Sequence, residues 1–515
     1  MFDLMQIRLC GGLLRIVHAV IEASPTLVCG LIIAGVLRRM VGPREVCRLF
    51  GVGRRSELPR AWILGMLLPV CSLGVIPVAR ELRRSGVPAS TVLAFALSAP
   101  LLNPMSVLYG LTLSEPWLIF AFVMGSLVVA LGAGLAWKRW FAASSDIPSA
   151  EVEPPRRPGL GRLVAVVASA AREAAGPTLA YCAIALLGVG LLSMLVPATS
   201  LQHLMRHDDL RSPALMALIA FPVYASPMKA MMVLGLMFEH GNSAGASYVF
   251  FVLGAGVNLG VVAWAAATYG IRRALPWFAL VVGLTLALGY ACERPLYFSP
   301  HEEDHTHAFD EFCCQFLDNG GGFDRGIILT NLADRLQAYE IVSLAALACL
   351  LLLGAALRLR GQRQTVSAPE EPLPSKALRP WERPIPGPVL GVIALVGFAF
   401  LATIGAYVYY PEARTVFEEV RGVKANALTA VLSGDKPVAI RSIRIWDDLT
   451  RRLEVGVFLR RGKLSLDERL RADELRDRLE EVRDALNAGK YADAKAMVWK
   501  VEKAHERCRD AYMDE

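Results

Sequence analysis

Ten apolar runs, each close to the length needed to cross a bilayer, alternate along this chain with short polar stretches in which arginine dominates. The runs occupy residues 16–37, 61–78, 87–111, 117–137, 174–196, 214–237, 246–269, 275–291, 341–357 and 388–410. About 20 apolar residues wound as a helix cover the roughly 30 Å of hydrocarbon, so each run predicts a membrane helix. The first run continues past the length of a secretory h-region without a small-residue cleavage site, which predicts a retained span.

A pattern of polar and helix-breaking positions occurs twice. The first copy reads Glu22, Pro25-Thr26-Leu27, Pro69-Val70, Gly86, Phe95, Asn103, and the second reads Glu173, Pro177-Thr178-Leu179, Pro222-Val223, Gly241, Phe250, Asn258. Duplicated membrane units with matched breaks are how many secondary transporters build a central binding site.

Arginine placement decides which runs cross. Arg38, Arg39, Arg44, Arg48, Arg54, Arg55 and Arg60 precede the run at 61–78, and Arg80, Arg83 and Arg84 follow it. If the run dips in and returns, both basic stretches and the linker at 138–172 face the cytoplasm, as the positive-inside bias favours. Pro69, Gly74 and Pro77 supply the break that such a hairpin needs.

Each repeat then holds three crossings and one re-entrant hairpin, and the odd count inverts the second copy. Ten full crossings with parallel repeats is the competing topology. The predicted fold is an all-α polytopic membrane protein with an inverted repeat, two extra C-terminal spans and a soluble helical tail. Its predicted parts are repeat one at 1–140, a basic cytosolic linker at 141–172, repeat two at 173–292 and an acidic extracytoplasmic insertion at 293–340. Two added spans at 341–410, joined by a Pro-rich cytosolic linker at 358–387, and a tail at 411–515 complete the chain.

Composition agrees with that class. Hydrophobic residues make up 54% of the chain and the mean hydropathy is +0.43, which excludes a soluble fold for the whole. The net charge of +7 sits in loop arginines that set orientation, so nucleic-acid binding is not indicated. Ten cysteines without a CxxC pair argue against both a disulfide framework and a zinc ribbon.

Three stretches resemble the signature of a bacterial predicted-permease family that includes exporters of trivalent organoarsenicals. They are Pro69-Val70-Cys71-Ser72-Leu73-Gly74-Val75-Ile76-Pro77, Arg83-Arg84-Ser85-Gly86-Val87-Pro88 and Leu93-Ala94-Phe95-Ala96-Leu97-Ser98-Ala99-Pro100-Leu101-Leu102-Asn103-Pro104. Ile21-Glu22-Ala23-Ser24-Pro25 is similar to the family's first helix. The resemblance covers roughly residues 10–295 and implies a permease. Where the family carries a second cysteine this chain has Leu73, and its second half reads Pro222-Val223-Tyr224-Ala225-Ser226-Pro227, so the arsenical substrate does not transfer.

Broken helices persist in a membrane only where they line a cavity or are buried in protein, which makes the two hairpin tips the candidate transport site. Tip one offers Cys71, Ser72 and Gly74; tip two offers Tyr224, Ser226 and Lys229. Asn103 and Asn258 present donor and acceptor to a solute, or simply bond neighbouring helices. Lys229 is the sharpest residue, since a lysine at mid-membrane costs about 2.5–3.5 kcal/mol and suits an anionic or oxyanionic solute unless it snorkels. Glu22 and Glu173 carry coupling protons, or sit near span ends and cap their helices. Cys71 ligates a soft metal or metalloid, or is an inert core residue.

The external insertion gathers His301, Glu302, Glu303, Asp304, His305, His307, Asp310, Glu311, Cys313 and Cys314. This composition predicts either a loosely held divalent or soft metal ion or a purely solvating loop. In the tail, Ser465 with Glu468 forms a capping box ahead of Leu475, Leu479, Val482 and Leu486, and Met497, Val501, Ala504 and Cys508 form a second stripe. They predict a helical hairpin in a small bundle, or a surface for oligomerisation or a protein partner.

No nucleotide-binding G-x-x-x-x-G-K-[ST] loop occurs, and Ser226-Pro227-Met228-Lys229 matches S-x-x-K without the rest of that hydrolase set. The sequence therefore predicts an inner-membrane secondary permease, not an enzyme and without a resident cofactor, that exports a small inorganic or organometalloid solute by alternating access. Two alternatives stay open: a membrane-embedded enzyme using Cys71 or the Ser226/Lys229 pair, and a membrane sensor or assembly factor working through the His/Cys loop and the tail.

Overall fold

Proline and its local partners decide where the first helix of each repeat runs and where it stops. The computed structural model describes residues 2–102, 106, 116–141, 161–196, 205–207, 209–239, 242–296, 338–364, 410 and 412–513, and every regular element among them is helical. Helix α1 (Phe2–Val36) continues straight through Pro25. The Ser24 hydroxyl donates to the Ile21 carbonyl at 2.8 Å, the group that Pro25 leaves without its helical donor, and the Thr26 hydroxyl donates to Ala23 at 3.1 Å. In the second copy Gly176 stands ahead of the proline, and the helix divides into α7 (Gly161–Ala174) and α8 (Pro177–Leu195), with Pro177 as the first residue of α8.

Between these lie the other elements of the two copies. The first has α2 (Pro43–Phe50), α3 (Glu57–Met66), α4 (Val75–Arg84), α5 (Ala89–Ser98) and α6 (Pro116–Trp140). The second has α9 (Ser212–Ala220), α10 (Pro227–Glu239), α11 (Ala244–Val249) continuing as a wider π-helical turn to Gly256, α12 (Leu259–Tyr269) and α13 (Ile271–Glu293). Packing follows the duplication: α3 lies on α5 as α9 lies on α11, and α5 lies on α6 as α11 lies on α13. Helix α14 (Ala338–Gln364) packs against α7 and α1.

By length and composition five helices among the described residues suit a membrane crossing: Arg8–Val41, Trp117–Trp140, Pro177–Leu195, Ile271–Glu293 and Tyr339–Arg360. The run at 246–269, expected as one straight helix, is instead bent by 57° between α11 and α12. The cause is local: the wide turn ends at Gly256, Val257 is extended, and the Asn258 side chain restarts the helix by accepting from the Val261 N–H at 2.9 Å. Both runs expected to break do so, at 67–74 between α3 and α4 and at 221–226 between α9 and α10. The run at 388–410 and most of the end of the run at 87–111 lie outside the described residues.

Contacts at the helix ends gather them on two rims. On the first, Arg84 lies 3.1 Å from Glu173, Arg38 lies 3.8 Å from Glu81, and Arg83 donates to the Thr268 carbonyl at 2.7 Å. Arg358 donates to the Arg172 carbonyl at 3.0 Å, and Arg273 lies over the Phe141 ring. Glu57 at the start of α3 accepts from Thr91 at the start of α5, so α3 begins on the rim where α4 ends. On the second rim, Glu293 accepts from the Ser243 hydroxyl at 2.7 Å and the Gly245 N–H at 2.6 Å, with His207 at 3.1 Å. The Ser243 N–H donates to Met205 at 3.0 Å and Tyr290 to Leu210 at 2.7 Å, which brings together the start of α9, the start of α11 and the end of α13.

The chain divides into two compact units, Met1–Ala399 and Phe400–Glu515. The second holds four helices, α15 (Ala413–Ser433), α16 (Lys436–Arg461), α17 (Leu466–Asn487) and α18 (Tyr491–Met513), around one core. The capping box forms as expected: Ser465 accepts from the Glu468 N–H at 3.1 Å and Glu468 accepts from the Ser465 N–H at 2.7 Å. Leu475, Leu479, Val482, Leu486, Val501, Ala504 and Cys508 are buried. The expected hairpin is thus half of a four-helix bundle, the other half being α15 and α16.

His505 sits in that core, edge-on to Trp446 at 5.3 Å and to Phe417 at 5.7 Å. Burial, followed by the Lys424 and Arg509 cations, pushes its pKa from 6.5 down to about 4. The unfolded chain therefore binds a proton that the folded bundle refuses, so stability present above pH 6.5 is lost as pH falls toward 4. The loss should approach about 3 kcal/mol, and His505→Phe should abolish it. Hydrogen exchange of the 413–513 peptides in the full-length protein, followed from pH 7 to pH 4, checks this.

Candidate functional site

Close backbone approach fixes the first broken tip against α1. A Cβ at Gly30 would stand 2.1 Å from the Gly74 carbonyl oxygen, and a Cβ at Gly74 would stand 2.5 Å from the carbonyl oxygen of Thr26. Only glycine allows that contact from both sides. The break itself is partly satisfied from within, since the Gly74 N–H donates to Cys71 Sγ at 3.3 Å and the Val75 N–H to the Cys71 carbonyl at 2.8 Å.

The two repeats meet at these tips. Asn258 Nδ2, at the restart of α12, donates to Ser72 Oγ on the first tip at 2.9 Å, while its Oδ1 caps α12. Cys71 and Leu73 from tip one and Tyr224 from tip two share one buried apolar cluster with Ala19 and Ala23 of α1 and Cys182, Ala185 and Val189 of α8. Residues expected to line one site from opposite halves of the sequence are therefore in contact.

Charge is exchanged between the repeats. Glu22 of α1 receives Lys229 Nζ of the second repeat at 3.1 Å, and Arg15 Nη1 of its own helix at 3.3 Å, both on the same oxygen, Oε1. Glu173 of the second repeat receives Arg80 Nε at 2.6 Å and Arg84 Nη1 at 3.1 Å from the first, with the Thr178 hydroxyl at 2.6 Å. Glu22 does not cap a span end as one reading expected; it lies near the middle of the 34-residue span Arg8–Val41. Glu173 does lie at a helix end, on the rim that carries Arg84.

Ser226 and Lys229 are brought together by local geometry alone. Ser226 Oγ accepts from the Lys229 backbone N–H at 3.3 Å and Pro227 opens α10, an N-cap arrangement, while the ammonium turns to Glu22. Asn103, His301, His305, His307, Cys313 and Cys314 lie outside the described residues. Among the described residues no group of three or more His, Cys, Asp or Glu side chains is placed to hold a metal ion.

Sequence reasoning missed Arg15, Arg80, Arg84 and Cys182 as site members. Arg15 was within reach, because a spacing of seven puts it on the Glu22 face of a helix. The Glu173 partners and Cys182 join only through contacts between repeats, which no spacing encodes.

Ser72→Ala should cost about 0.6–1.7 kcal/mol, the range for an interhelical bond in a membrane. Gly74→Ala should cost more, because its added carbon meets backbone that cannot yield. Thermal melting of the two purified variants checks that order.

The comparisons with known proteins follow the same segment. The family profile described as a predicted permease matches residues 12–294, more than half of the chain. The UPF0718 protein YcgR of Bacillus subtilis is 31% identical over 117 residues, covering 22% of this chain and 39% of that protein. A protein of Streptococcus mutans, described as a candidate subunit of a two-component membrane permease complex, is 25% identical over 119 residues, again 22% and 39%. The chain thus spans about two fifths of the length of the curated relatives it matches. No solved structure matches. With five apolar helices of membrane length and a profile match that encloses both tips, the chain is a multi-pass membrane protein that belongs to the predicted permease family.

Proposed function

We propose that the protein is a secondary permease of a bacterial inner membrane that exports a small inorganic or organometalloid solute by alternating access between two opposed hairpins. One observation carries this reading: α3 begins and α4 ends on the basic rim, while α9 begins beside the start of α11 on the rim of Glu293. Two broken helices whose ends lie on opposite rims, and whose tips pack together through Cys71, Leu73 and Tyr224, are the parts of an inverted-repeat transporter. The basic rim collects Arg38, Arg83, Arg84, Arg273 and Arg358, which supports the cytoplasm on that side.

Cys71, Ser72, Gly74, Tyr224, Ser226, Lys229 and Asn258 surround the proposed solute path, and Asn103 is assigned to it by its place in the repeat. In the present arrangement the tips are closed on each other through Cys71, Leu73 and Tyr224, and the Ser72–Asn258 bond ties tip one to α12, so the solute enters when these contacts open. Glu22 and Glu173 are the proposed proton carriers. The embedded-enzyme alternative is weakened because Ser226 Oγ is occupied as a helix cap and the Lys229 ammonium by a carboxylate.

Two measurements test the proposal. Efflux from cells or loaded vesicles challenged with a panel of metalloids should fall to background in Asn258→Ala and Lys229→Ala, and unchanged efflux would remove both residues from the path. In a cysteine-free background, Leu210→Cys should be labelled from outside intact cells, while Arg55→Cys and Arg139→Cys should be labelled only after permeabilisation. Labelling of Arg139→Cys from outside would mean that the first hairpin crosses fully.

A further inference from the structure

Two cations from different repeats converge on a single carboxylate oxygen near the middle of the longest span. Arg15, with 3% of its side chain exposed, and Lys229, with 15%, approach Glu22 Oε1 at 3.3 and 3.1 Å. The second oxygen, Oε2, is buried and accepts no hydrogen bond. A carboxylate placed for structure alone would distribute its donors over both oxygens, as Glu173 does with Thr178 on Oε1 and Arg84 on Oε2. Lys229 lies in the first turn of α10, whose N-terminal end adds positive potential at the same tip.

We propose that Arg15 and Lys229 form an anion-binding site whose resident occupant is the Glu22 carboxylate, and that a small oxyanionic solute binds by displacing it. This rests on the permease reading and names the substrate class for that site. The oxygens of a tetrahedral oxyanion reproduce what Glu22 offers the two cations, and a second anion cannot share the site while Glu22 remains charged within it. Glu22 thereby balances charge of the two cations when the site holds no solute. Because Glu22 is on α1 and Lys229 directly follows the second break, displacement also removes the ion pair that ties α10 to the first repeat.

The test is isothermal titration of the purified full-length protein with inorganic phosphate, arsenate and methylarsonate at constant ionic strength. Glu22→Gln keeps the size of the side chain and removes its charge; it should bind at least one of the three anions about tenfold or more tightly than the wild type. The gain should vanish in Glu22→Gln combined with Lys229→Met, and also in Glu22→Gln combined with Arg15→Met. Thermal melting with and without anion confirms that each variant is folded. The proposal is overturned if none of the three anions binds Glu22→Gln more tightly than the wild type, or if the gain survives removal of either cation. The efflux test with Asn258→Ala is independent of solute charge, so a failed anion site with lost efflux leaves the permease reading standing.

Discussion

Two half-buried carboxylates, one in each repeat, take cations from the other repeat. Glu22 takes Lys229, Glu173 takes Arg80 and Arg84, and the exchange joins residues up to 207 positions apart. The constraint is severe in a membrane, because removing one partner of a buried pair costs about 3–5 kcal/mol through the charge left behind. Glu22 keeps Arg15 from its own helix, but Lys229 and both cations of Glu173 come only from the other half, so docking the halves completes these ion pairs. Everything else at the centre follows from that docking: the glycine contact of α1 with tip one, the shared apolar cluster of Cys71, Leu73 and Tyr224, and the Ser72–Asn258 bond.

Broken helices in lipid need the same kind of compensation at the level of the backbone. The chain supplies it with short side chains placed beside each break: Ser24 at Pro25, Cys71 at Gly74, Ser226 at Pro227 and Asn258 at the restart of α12. These caps are local and individually weak. The tips are held by more than these caps: the glycine contact fixes tip one against α1, the Glu22–Lys229 pair ties tip two to the same helix, and the Ser72–Asn258 bond ties tip one to α12.

The breaks and the permease class were readable because proline, glycine and arginine act through their immediate neighbours. Pro69 and Pro222 mark breaks that exist, and Ser465 with Glu468 marks a cap that forms. The bend at Asn258 escaped notice, since Gly254 and Gly256 within an apolar run read as a plain span until the wide turn is seen. So did α15 and α16, whose apolar stripe is diluted by alanine and charge. The placement of Glu22 was misjudged because the apolar run begins at 16 whereas the helix begins at Phe2, which moves the carboxylate from a span end to its middle. Partners for Glu173 and for Cys71 lay beyond sequence reasoning altogether, because they depend on how two distant halves dock.

The exchange of charge between repeats is tested most directly by reversing it. Glu22→Lys and Lys229→Glu should each lower the melting temperature of the full-length protein strongly, and the double variant should recover most of the loss, with the Arg15 guanidinium following the carboxylate to its new side. Losses that simply add in the double variant would mean that the two residues do not meet, and the docking of the halves described above would be wrong.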